Sequence, residues 1–155
     1  MPDRIARQVL RRPAPVVRAE DLVAPAVRKV LDAGLPGLPV VDADGGYAGV
    51  FGTRELIGAV FPRYLEQLRG TTMISPALDE VLERRLECAG QPVREHLDSE
   101  HPVVDEGFSD TQLAELFLHH RVQIVPVLSG GRAQAVVPAE GFFRELGRLL
   151  LGDAA

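Results

Sequence analysis

Residues 38–56, LPVVDADGGYAGVFGTREL, place two apolar runs, Leu38 to Val41 and Tyr47 to Phe51, on either side of Asp-Ala-Asp-Gly-Gly. Two short apolar runs flanking a glycine-bearing turn predict a β-hairpin, with Asp44-Gly45 supplying the positive φ angles of the turn. The runs are apolar at consecutive positions, as in a sheet buried on both faces. The hairpin leads directly into Leu56, Ile57, Ala59 and Val60, whose spacing predicts a helix. Upstream, Ala26, Val27, Val30 and Leu31 share one face of another helix that stops at Gly34. Pro25 falls in the first turn of that helix, where backbone N–H groups have no intrahelical partner to lose.

The same message recurs. Pro15-Val16-Val17 returns as Pro102-Val103-Val104, and Leu38-Pro39-Val40-Val41 as Val125-Pro126-Val127-Leu128, both at an offset of 87 residues. Arg7 and Leu10 likewise answer Arg94 and Leu97. The second turn, Ser129-Gly130-Gly131-Arg132, is one residue shorter, so Gly45 and Val50 answer Gly131 and Val136 at 86. In the second copy Ser109 and Gln112 have the spacing of a helix-capping box, ahead of Leu113, Leu116, Phe117 and His120. A last helix follows, with Phe142, Phe143, Leu146, Leu149 and Leu150 as core or dimer packing. Each copy therefore reads β-α-β-β-α, an α/β (α+β) unit. A unit of this size cannot cover its own apolar face, so it packs on its twin, and function is expected in the cleft between them. The predicted divisions are repeat 1 over 1–61, a helical insertion over 62–90 and repeat 2 over 91–150. Inside the insertion, Ser75 to Gly90 predicts a capped amphipathic helix and Tyr64 to Leu68 a shorter one.

Composition narrows the function classes. The chain has 155 residues, 46% of them hydrophobic and 25% charged, as in one well-packed globular body. A net charge of −5 argues against broad attraction to nucleic acid or anionic lipid. Five arginines against one aspartate in residues 1–18 make a basic arm the weaker reading and a solvated amphipathic segment the plainer one. Cys88 stands alone, so a reducing, cytoplasmic setting is expected, with no membrane segment and no signal peptide. Adjacent His119 and His120 project from different sides of a helix, and no ligand pair has metal-site spacing. No phosphate-loop, nucleophile-elbow or zinc-helix motif is present, so catalysis is not expected.

The first hairpin and its helix resemble the CBS-domain pattern, and VPVLSGGRAQAVVPAEGF at 125–142 is a weaker copy of it. Two such repeats in tandem form a Bateman module. The resemblance implies two units packed about a pseudo-twofold axis, assembly as a homodimer, and a regulatory role. It also implies clefts that hold AMP, ADP, ATP or S-adenosylmethionine.

Its binding pattern falls on Gly49 to Glu55 in repeat 1. Glu55 stands at the acidic position that accepts ribose hydroxyls, or is a solvated first-turn carboxylate. Gly52 replaces the hydroxyl residue and leaves backbone open to a ligand, while Thr53, one place late, caps the helix or contacts ligand. Arg54 reaches a phosphate or lies solvated, and Arg121 ends a helix near where phosphates would point. Val16, Leu38 and Pro39 would sandwich adenine, with Val40, Val125 and Pro126 completing the walls. Repeat 2 lacks both acid and hydroxyl at Pro138 to Gly141, so one nucleotide per chain, in the Glu55 cleft, is expected. The competing reading is a CBS pair without ligand, acting as a dimerisation or partner-binding scaffold for an unknown protein.

Overall fold

The computed structural model describes residues 15–61 and 86–152. The first half contains β1 (Val17–Arg18), α1 (Val23–Ala33), β2 (Gly37–Val41), β3 (Tyr47–Gly52) and α2 (Thr53–Val60). The second contains β4 (Val104–Asp105), α3 (Asp110–His119), β5 (Ile124–Ser129), β6 (Arg132–Pro138) and α4 (Ala139–Leu151). Each half is thus a β-α-β-β-α repeat with a three-stranded mixed sheet, β1-β2-β3 in one and β4-β5-β6 in the other.

The duplication read in the sequence is also a duplication of register. Val17 pairs with Val40 in parallel, and Val104 pairs with Val127, each partner displaced by the same 87 residues. Pro39 faces Val50 and Pro126 faces Val136 across the hairpins. Even the irregularity recurs, between Val40 and Val41 in one sheet and between Val127 and Leu128 in the other. All of β2 is buried, as the consecutive apolar run requires.

The two turns differ in how they reverse the chain. Gly130 and Gly131, at φ 56° and 78°, form a two-residue connection with both central residues in the left-handed region. In the longer first turn only Gly45, at φ 87°, takes that conformation, and Asp44 does not, contrary to the reading of the Asp-Gly pair. The Asp42 carboxylate organises this turn instead, accepting from the Gly46 amide at 2.9 Å. The hairpin tips then join: the Tyr47 amide donates to the Gly131 carbonyl at 2.9 Å, and Arg132 Nη2 to the Asp44 carbonyl at 3.0 Å.

Helix boundaries follow local chemistry. Gly34, at φ 66°, caps α1, and the Ser109 hydroxyl accepts from the Gln112 amide at 3.0 Å to start α3. Some expected core positions face outward. Leu31 is exposed, as are Ile57 and Phe143, whereas Ala26, Val30, Val60 and Phe142 are buried. Amphipathic spacing allows a stripe wider than the face each helix actually covers, and the stripe's edge stays in solvent.

The core of repeat 1 draws on residues from the end of the insertion and just beyond it. Cys88 and Val93 are buried among Val17, Val23 and Phe51. The Val93 and Arg94 amides donate to the carbonyls of Asp21 and Ala19, and Arg94 pairs with Glu20. The helix expected at Tyr64–Leu68 lies outside the described residues. So does most of the one expected from Ser75, whose last five residues, Leu86–Gly90, form a 3-10 turn.

Candidate functional site

The start of α4 and the end of α1 face each other across a cleft of about 680 Å³. Pro15 and the turn Ala33 to Pro36 give one wall; Gln123, Val136 and the residues from Pro138 to Gly141 give the other, with Arg144 at the side. This volume lies within the roughly 300–1,000 Å³ that small-molecule sites occupy. Glu140 in the first turn of α4 is tied to Arg144, Oε1 to Nη2 at 2.6 Å. The Ala139 amide, first in the helix, donates to the Gln123 carbonyl at 2.8 Å.

The 86-residue correspondence carries Thr53, Arg54 and Glu55 onto Ala139, Glu140 and Gly141, so this cleft is the repeat 2 counterpart of the Glu55 region. Both helix starts are pinned alike. The Thr53 amide donates to the Pro36 carbonyl at 2.9 Å, and the Thr53 hydroxyl donates to the same oxygen at 3.1 Å. Thr53 is therefore not the cap expected of it. Gly52 occupies the cap position with no side-chain bond, and Thr53 clamps α2 to the segment before β2. Nor does Gly52 leave open backbone on its Cβ side, because a methyl group there would collide with the Pro36 carbonyl and the Gly37 α-carbon.

None of the eleven residues expected to contact ligand lines the 680 Å³ cleft. Leu38, Val40 and Val125 are fully buried, as are Pro39 and Pro126, so these side chains pack the sheets. Val16 is half-buried, and Arg54 is exposed. Arg121 is exposed too, and at φ 54° it is the one non-glycine residue in the left-handed region among the described residues.

Glu55 is half-buried, and burial pushes its carboxyl above the usual range. The Asp98 charge adds to that, while amides of Glu55 and Gly52 and the nearby His101 work against it. Asp98 belongs to a strap, residues 97–101, that runs beside repeat 1. Its amide donates to the Val50 carbonyl at 2.8 Å, and the Val50 amide returns the bond at 3.0 Å. A methyl group on Gly49 would lie 2.5 Å from the Asp98 carbonyl oxygen, so glycine is what lets the strap approach β3. His101 closes the strap, with Nδ1 3.3 Å from Asp98 Oδ2 and Nε2 2.8 Å from the Ile124 carbonyl.

Beside these groups the Tyr47 hydroxyl is buried with no hydrogen-bond partner. Burial, and then the charges of Asp98 and Glu55, hold its phenol firmly protonated. Tyr47, Asp98 and His101 were not among the expected site residues. Their only sequence signal is the polar pair Asp98 and His101 just ahead of a strand that repeats an earlier one.

Paired β-α-β-β-α modules that face each other across a cleft define a class of tandem-repeat module. Among the described residues no helix is long and apolar enough to cross a membrane. Residues 6–62 match the CBS domain family. Comparison with curated proteins gives no match. Solved structures carry the likeness across the rest of the chain. One is CBSX2 in complex with AMP, at 18% identity and a TM-score of 0.67, covering 94% of this chain and 97% of that one. Another is the CBS domain of a CBS domain-containing membrane protein from Sphaerobacter thermophilus, with 18% identity, a TM-score of 0.64 and coverage of 90% and 91%. A third is a CBS domain-containing protein from Kribbella flavida, at 25% identity and a TM-score of 0.59, covering 87% and 93%. The chain contains a CBS domain over residues 6–62, and as a whole it has the fold of a CBS pair.

Proposed function

We propose that this CBS pair is a regulatory module that binds an adenosine-containing ligand, such as AMP, ADP, ATP or S-adenosylmethionine, between its repeats. The observation that carries this reading is Glu55, a half-buried carboxylate in the first turn of α2 whose charge its surroundings disfavour. A ribose diol donating two hydrogen bonds would supply what the ionised carboxylate lacks. Arg54 and Arg121, both exposed, would meet the phosphates, and the half-buried Val16 would flank the base. CBSX2, a structural relative, was crystallised with AMP, which supports the ligand class at low identity.

The volume of the repeat 2 cleft favours a second seating, with the ligand between Pro15, Leu35 and Arg144. The exposed Phe143, Leu150 and Leu151 of α4 favour an assembly role, with α4 as the homodimer face. Thermal-shift measurements with AMP, ADP, ATP, NAD and S-adenosylmethionine test the ligand reading. A ligand at 100 times its dissociation constant stabilises by ~2.7 kcal/mol, a shift well above noise. No shift with any of the five, together with a stable dimer in solution, would favour the ligand-free scaffold.

A further inference from the structure

The second helices of the two repeats carry charge in opposite order. Repeat 1 has Arg54, Glu55 and Gly58 in α2, and the 86-residue correspondence places Glu140, Gly141 and Arg144 at the same positions of α4. Where repeat 1 has the Glu55 carboxylate, the repeat 2 cleft has no side chain. Where repeat 1 has glycine, that cleft has a guanidinium at its side.

Volume alone admits a nucleotide there, but the side chains do not recognise one. A ribose diol needs an acceptor, and the one carboxylate among the described lining residues is Glu140. Its Oε1 already accepts from Arg144 Nη2 at 2.6 Å. Glu140 also sits one residue early, about 100° round the helix from the position that Glu55 holds in α2. A phosphate chain calls for several cations, and Arg144 is the one cation among those residues. The wall opposite charge is apolar, with Pro15, Leu35, Pro36, Val136 and Pro138.

Arg144 is free to take a second partner. Its hydrogen bond with Glu140 uses a single N–H of a guanidinium that carries several. The pair lies in solvent, with side chains 57% and 76% exposed, so it holds the arginine weakly. The remaining donors form the planar fork that matches a carboxylate. We propose that the repeat 2 cleft binds a small monocarboxylate with an apolar body, its acid group on Arg144 and its body against the proline and leucine wall. This goes beyond nucleotide binding at Glu55 and does not require it. With a nucleotide at Glu55, the pair would answer two chemically unlike ligands.

The test titrates naphthalene-2-acetate, and its neutral counterpart 2-(2-naphthyl)ethanol, into the full chain at low salt. Binding is followed by amide NMR at Gly34, Ala139 and Gly141, which line the cleft. The acid should shift these amides and bind at least tenfold tighter than the alcohol, the scale of one charge-assisted contact. In Arg144→Gln that advantage should vanish while the alcohol binds as before. Arg148→Gln removes the same charge about one turn further along α4, outside the cleft lining, and should leave the advantage intact. An AMP response confined to the Thr53 and Glu55 amides, with the acid still bound, would support separate sites. Equal binding of acid and alcohol, or no response at the three cleft amides, would overturn the proposal. So would an advantage that survives Arg144→Gln or falls equally in Arg148→Gln, or AMP shifting the Gly141 amide and displacing the acid.

Discussion

Adding one methyl group at Gly49 should loosen the strap from repeat 1, and the structure sets the size of the effect. An alanine Cβ would lie 2.5 Å from the Asp98 carbonyl oxygen and 2.7 Å from Leu97 Cδ1. The leucine tip can rotate away, but the carbonyl is backbone and has to retreat by about 1 Å to regain ordinary contact. That movement breaks the reciprocal bonds between Val50 and Asp98, 2.8 and 3.0 Å long. Each such bond is worth ~0.5–1.5 kcal/mol net, so Gly49→Ala should cost about 2 kcal/mol. With a urea slope of ~1–3 kcal/mol per molar, the unfolding midpoint should fall by about 1 M. The same substitution at Gly58 supplies the contrast. Gly58 lies inside α2 with nothing within 4 Å of an added Cβ, so Gly58→Ala should stabilise by up to about 1 kcal/mol through helix propensity alone. A Gly49→Ala midpoint at or above that of the unmodified protein would refute the close approach of the strap.

Three further substitutions test other parts of the account. Arg121→Gly relieves a left-handed residue at φ 54° and should stabilise by about 0.5–1 kcal/mol, a rise of roughly 2–4 °C in Tm. Glu55→Gln removes a carboxyl whose proton is held more tightly in the folded state than in the unfolded chain. The folded state therefore loses stability as pH rises through the folded value. The glutamine variant without ligand should melt slightly higher than the unmodified protein at neutral pH, by less than ~1 kcal/mol given the exposure, and the gap should close in acid. Ser109→Ala deletes the cap on the Gln112 amide and should cost about 1 kcal/mol in denaturant unfolding.

The hairpins were legible because nearly every residue of β2 and β5 is apolar and the glycine turns fix their partners. The repeat offset then predicted pairings that recur in register from Val17 with Val40 to Val104 with Val127. Thr53 was misread for a definable reason. A hydroxyl before a helical run signals a cap, but nothing local reveals that the Pro36 carbonyl, 17 residues earlier, lies within reach of it. Leu31 and Ile57 fit the apolar spacing of their helices, yet periodicity does not say how much of a stripe a neighbouring element covers. The cluster of Tyr47, Glu55, Asp98 and His101 is assembled through space from segments about fifty residues apart. Its members have no shared spacing, and the signal appears only once the strap is seen to pair with β3. Cys88 gave a similar lesson: it was assigned to the insertion, but the fold uses it to fill the core of repeat 1.

Calorimetric titration of AMP and of S-adenosylmethionine into the unmodified protein and into Glu55→Ala bears most directly on the central claim. The account predicts one ligand per chain for at least one of the two, and binding at least tenfold weaker in Glu55→Ala, the loss of a hydrogen-bonded carboxylate. Binding left unchanged by Glu55→Ala but lost in Arg144→Ala would move the site to the repeat 2 cleft. No heat with either compound in the unmodified protein would contradict the ligand-binding account.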